Sequence, residues 1–141
     1  MSGHLLMPAL LAATLLFLAG LHFYWAAGGE WGKRVALPEV QGRPAFIPSP
    51  LMTVAVALAL MGAAGVAILR GCVRFASFPG SAAHWASIAL GGVFLFRAIG
   101  EFRLVGFFKR VQGTAFATWD TWLFSPMCLL LALAFFFIAA S

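Results

Sequence analysis

Charge is what this chain has least of. Charged residues make up 9% of it, where an ordinary soluble domain carries roughly 25%. That scarcity excludes a water-facing globular surface. Cysteine is scarce too: Cys72 and Cys128 form no CxxC pair and have no Cys–His spacing suited to zinc. The helix assignment below puts them at different membrane depths, which argues against an internal disulfide, and Cys128 reads as a small core residue. There is no GxSxG, no P-loop and no HExxH, so no metal or cofactor site is expected. Alternating strands joined by hairpin turns are missing, which leaves a β-barrel unsupported, and there is no defensible internal repeat.

What fills the chain instead is apolar sequence. Residues are 63% hydrophobic and mean hydropathy is +1.00. The run from Leu51 to Leu69 is uncharged throughout and, at ~1.5 Å rise per residue, spans about 28 Å, close to the hydrocarbon thickness of a bilayer. Four such spans are predicted, at about residues 5–27, 51–69, 82–100 and 122–140. The expected fold is therefore all-α: an integral membrane bundle of four transmembrane helices, forming one domain over 1–141. Pro8 falls in the first turn of the first helix, where a missing N–H does no harm, and Gly28-Gly29 ends it. The leader MSGH carries no Lys or Arg, so the first span reads as a mature helix rather than a cleaved signal. The loop after it, Gly28 to Pro50, is rich in turn residues: Pro38, Gly42, Pro44 and Pro48.

The net charge of +5 invites a nucleic-acid partner, but the basic residues are split among short loops between spans. They read as topology signals and contacts to anionic headgroups. Lys33, Arg34, Arg43, Arg103, Lys109 and Arg110 lie in the first and third loops, against Arg70 and Arg74 in the second. This places the first and third loops in the cytoplasm, in a cell (inner) membrane, with both termini outside. On the second helix Ala55, Ala59, Ala63 and Ala67 recur every four residues, near Gly62 and Gly65. Such a stripe permits close helix approach in lipid, within the bundle or against a second chain.

The carboxylates concentrate at one face. Glu30 and Glu39 lie in the first loop, and Glu101 and Asp120 bracket the third. His22 lies slightly inside the first helix from that side, and Arg97 slightly inside the third. Trp25, Trp31, Trp119, Trp122 and Tyr24 gather there too; Trp85 marks the other interface. Each polar residue has a bland explanation. Arg97 can snorkel or pair with Glu101 at i, i+4; His22 can be a hydrogen-bonded structural residue; Asp120 can cap the fourth helix, with Ser125-Pro126 as a second start or a kink. The functional alternative joins them. His22, Arg97, Glu101 and Asp120 share a depth and can line a polar pocket roofed by Tyr24, Trp25 and Trp122. Such a site suits a lipid-like molecule, with its tail among the helices and its head against the charges; an Arg clamps an anionic head and a His beside a carboxylate moves protons. A bis-histidine haem is excluded by depth, since His22 and His84 sit near opposite helix ends and His4 is near a terminus. The segment Gly100 to Arg110, GEFRLVGFFKR, reads as an interfacial anchor laying Phe102, Phe107 and Phe108 into the headgroup boundary.

Three segments carry a family likeness: HFYWAAGG at 22–29, RAIGEFRLVGFFKR at 97–110 and TAFATWDTWLFSPMC at 114–128. Together they resemble a bacterial family of small four-helix membrane proteins catalogued as domain of unknown function 3995, over nearly the whole chain. Phe124 departs from the tyrosine expected before Ser-Pro. The resemblance implies a multi-pass bacterial membrane protein and carries over no catalytic role. Three functions follow from the residues. The first is binding or acting on a lipophilic small molecule at the charged face. The second is a non-catalytic accessory or assembly subunit of a larger membrane complex, docking through the second helix. The third is a small oligomeric transporter. The partners expected are the bilayer, a lipid-like ligand or a membrane protein, and whether the chain is an enzyme stays open.

Overall fold

A computed structural model describes residues 3–72 and 81–141, with side chains from Leu5 onward in the first helix. Arg74, Pro79 and Gly80 of the expected second loop lie outside the described residues, as does the side chain of His4. The chain is an all-α bundle of four long apolar helices. The first, α1, is Gly3–Ala26. The first loop holds a short helix, α2, at Lys33–Ala36 and two short antiparallel strands, β1 (Glu39–Val40) and β2 (Arg43–Pro44), which pair Val40 with Arg43 across Gln41-Gly42. Helix α3 is Pro50–Cys72 and α4 is Ala82–Ile99, capped by Ser81, whose hydroxyl accepts from His84 N–H at 3.1 Å. The last span runs from Ala115 to Ala140. It comprises α5 (Ala115–Trp119), a wide π turn at Asp120–Phe124 and α6 (Ser125–Ala140).

That last helix begins earlier than the expected residue 122. Thr114 caps it, its Oγ1 accepting from Ala117 N–H at 3.0 Å, so Asp120 is freed from the capping role and lies inside the span. The π turn has a covalent cause. Pro126 has no N–H, so the Trp122 carbonyl loses its α-helical partner. The chain relaxes into the wider turn, in which Ser125 N–H reaches back to Asp120 O.

Helices α1 and α3 pack as one pair, and α4 and α6 as another. The core where the pairs meet contains Leu15, Ala64, Ala67, Leu131, Phe135 and Ile138. The rings of Phe94 and Phe135 stack across α4 and α6 with centroids 5.9 Å apart. Small residues set the approach distances: a Cβ at Gly71 would strike the Pro8 ring, and one at Gly91 the Phe136 ring. The expected alanine stripe is divided. Ala63 and Ala67 are buried with Ala57 and Ala64, while Ala55 and Ala59 face outward. The buried line on α3 follows Thr53, Ala57, Ala64 and Ala67, which drifts around the helix as a 3.6-residue period requires and a strict four-residue stripe does not.

Arg70, expected in a loop, is instead in the last turn of α3 and buried. Its guanidinium donates to the carbonyls of Ile138 (2.6 and 3.0 Å) and Ala139 (3.1 Å), and His84 Nδ1 also meets Ala139 O at 3.1 Å. These are the carbonyls that the end of α6 leaves without helical partners.

Candidate functional site

The third loop makes the opposite end of the bundle distinctive. Gly100 (φ +87°) ends α4, and the chain turns back on itself. Phe107 N–H donates to Ala98 O at 2.8 Å, capping the helix with its own loop. The return passes so close that a Cβ on Gly106 (φ +90°) would overlap the backbone of Ile99 and Gly100. This places the Gly106 N–H and Lys109 beneath the bundle end, facing the π turn of the last helix.

Asp120 sits at the centre, fully buried. Its Oδ1 accepts from Arg97 Nη2 at 2.8 Å. Its Oδ2 accepts from Gly106 N–H at 2.8 Å, Lys109 Nζ at 3.1 Å and Ser125 Oγ at 3.1 Å. Lys109, also buried, completes its shell with Gly106 O at 3.0 Å and Thr121 Oγ1 at 2.7 Å. A carboxylate in apolar surroundings requires such partners, because an unpaired one costs several kcal/mol in practice. Here the compensation exceeds the debt: one negative charge faces two cations. The surplus falls on Arg97. Its Nη1 is buried and has no hydrogen-bond partner among the described residues.

Arg97 borders a partly open cavity of about 310 Å³ lined by all four long helices. Helix α1 contributes Leu18, Leu21, His22 and Trp25; α3 contributes Val56 and Leu60; α4 contributes Phe94 and Arg97; the last span contributes Phe124, Met127 and Cys128. His22 Nδ1–H donates to the Leu18 carbonyl, 2.7 Å away. Since a carbonyl only accepts, the proton is on Nδ1, and Nε2 of the neutral ring is an acceptor. The His22 ring stands edge-on to Trp25, centroids 5.1 Å apart. The chamber is thus apolar except for a guanidinium, an imidazole and the Cys128 thiol.

Of the residues singled out by sequence, His22, Trp25 and Arg97 share this cavity, and Asp120 stands behind Arg97. Glu101 is elsewhere. Because α4 ends at Gly100, positions 97 and 101 no longer share a helical face; Arg97 pairs with Asp120, and exposed Glu101 accepts from Leu104 N–H. Tyr24 is turned to the first loop, where its hydroxyl accepts from Trp31 N–H at 3.3 Å and its ring covers Gly29. Trp25 ties the same loop with Nε1 donating to Trp31 O at 2.8 Å. Trp122 does not roof the pocket: it is 81% exposed and points away from the bundle. Phe102, Phe107 and Phe108 are exposed as an anchor requires, but Lys109 of the same segment is buried as an ion-pair partner. Gly106, Lys109 and Ser125 were the participants that sequence reasoning missed; the glycines bracketing EFRLV and the Ser-Pro inside a long apolar run were the available signals.

A family model described as a protein of unknown function (DUF3995) matches residues 15–135. No curated protein and no solved structure matches the chain.

Proposed function

We propose, for a chain that belongs to the DUF3995 family of proteins of unknown function, that it binds a lipophilic small molecule by an anionic head within the four-helix cavity. One observation carries this reading: Arg97 borders the cavity, and its buried Nη1 is without a protein acceptor among the described residues. A guanidinium whose other arm is fixed on Asp120 is pre-oriented, so an incoming carboxylate or phosphate oxygen meets a donor that has already lost its rotamer freedom. The surplus positive charge of the Arg97–Asp120–Lys109 cluster favours an anion over a neutral head. His22 Nε2 supplies an acceptor for a hydroxyl or acid proton on the same head. Orientation follows the basic loops, with the first and third loops on the cytoplasmic side of a bacterial inner membrane.

The test is native mass spectrometry of protein extracted from membranes in a mild non-ionic detergent. Wild type is expected to carry an anionic amphiphile. Arg97→Gln and His22→Leu, accumulating normally, are expected to lose it. Retention at wild-type level in both variants defeats the reading. The second reading, an accessory subunit, is favoured by the outward Ala55 and Ala59 on α3. It predicts a stoichiometric membrane partner in the same spectra, lost on Ala59→Leu.

A further inference from the structure

The cavity at Arg97 does not stand alone. A second chamber of about 450 Å³ lies on the seam between α1 and the last helix, and Leu18, Leu21, Trp25, Ala36, Phe124 and Met127 wall both spaces. One layer of side chains therefore separates them, and it includes the unbranched, adaptable Met127. The seam chamber is hydrocarbon in character. Thr14 at its inner end gives its hydroxyl proton to Leu10 O at 2.9 Å, and the Trp25 indole N–H is committed to Trp31 O. Its outer end is framed by Trp31 and Trp119, both exposed at the end of the bundle that carries the charged loops. From Trp25 to Thr14 is about 16 Å along the helix at ~1.5 Å per residue. That is close to half of a ~30 Å hydrocarbon core, the depth of one leaflet.

We infer that the ligand is an anionic amphiphile whose hydrocarbon tail, one leaflet long, lies in the chamber between α1 and the last helix while its head reaches Arg97 past Met127. The inference rests on the anion-binding reading above and extends it to the tail. Two largely apolar spaces share a wall: one ends at the Arg97 guanidinium, whose Nη1 has no acceptor among the described residues, and the other offers apolar surface at the depth where a membrane lipid keeps its own chain. Entry is sideways from the leaflet, so the tail never crosses water. A head of carboxylate or phosphate chemistry satisfies the same donor.

The experiment uses the full-length protein in non-ionic detergent, with hexadecanoate, hexadecyl phosphate, octanoate and neutral hexadecanol as probes and bound fraction read by native mass spectrometry. Wild type is expected to retain both long anions, to bind octanoate more weakly and to discriminate against hexadecanol. Thr14→Trp fills the inner end of the chamber and is expected to reduce hexadecanoate retention about tenfold while leaving octanoate unchanged. Leu123→Trp, at the lipid-facing mouth, is the second obstruction, and unchanged melting certifies either fold. If both variants hold the long anions as wild type does, the tail is not in the chamber and the inference is overturned. If wild type retains hexadecanol as well as hexadecanoate, or retains none of the probes, the anion reading itself fails. Preference for the carboxylate or the phosphate identifies the source of the head.

Discussion

Replacing Asp120 with asparagine isolates the contribution of the buried charge cluster. The substitution keeps volume and removes one charge, but it also replaces an acceptor oxygen with a donor NH2. Four donors converge on the carboxylate: Arg97 Nη2, Gly106 N–H, Lys109 Nζ and Ser125 Oγ. The single amide oxygen cannot serve all of them, and the amide N–H atoms face further donors. Arg97 and Lys109 are left as a like-charged pair, in which Lys109 has no exposed side-chain surface through which to reach water. Removing one partner of a buried pair costs about 3–5 kcal/mol. At about 4 °C per kcal/mol for a chain of this length, melting should fall by roughly 12–20 °C. Near-ultraviolet circular dichroism and tryptophan fluorescence are the suitable probes, because Trp119 adjoins the site and apolar helices stay helical in detergent after packing is lost. The double variant Asp120→Asn/Lys109→Met restores the wild-type charge surplus and should recover part of the loss. If Asp120→Asn melts within about 1 kcal/mol of wild type, or the double variant is no better than the single one, the cluster does not hold the third loop on the bundle.

Other outcomes follow from the same geometry. Gly106→Ala forces a side chain into the Ile99 carbonyl at positive φ, and should cost about 1–3 kcal/mol in detergent unfolding. Arg70→Met removes the guanidinium from the Ile138 and Ala139 carbonyls, leaving Ser141 Oγ on the first and His84 Nδ1 on the second; a loss of about 1–3 kcal/mol is expected, with amide exchange accelerated over the last turn of α6. In a Cys72→Ser background the buried Cys128 thiol borders the cavity, so hexadecanoate should slow its alkylation by N-ethylmaleimide, and an unaltered rate would separate Cys128 from the ligand space.

Much of this architecture was readable from hydropathy, because an uninterrupted apolar run of bilayer length has few other stable outcomes. The meeting of His22, Trp25 and Arg97 was readable as a shared depth, since rise per residue fixes height along a helix. Azimuth and loop path were not. Glu101 looked like the partner of Arg97 only while the helix was continued past residue 100, and Gly100 ends it. Trp122 had the right height but the wrong side of its helix, because the π turn shifts the register between it and α6. Lys109 looked like one of several surface cations; only the fold-back of the loop at Gly100 and Gly106 buries it. The outward half of the alanine stripe reflects the gap between a four-residue repeat and a 3.6-residue helix.

The widened turn at Asp120–Phe124 also makes chain length count as strictly as residue identity. The turn holds one residue more than regular α spacing, so drawing the same residues into a regular helix would swing everything on one side by about 100° relative to the other. Either Asp120 would be rotated off its two cations, or Phe135 and Ile138 would be turned out of the core into lipid. A deletion of one residue inside the turn restores regular spacing with both sides in place, whereas the same deletion elsewhere in the last helix sets its two halves against each other.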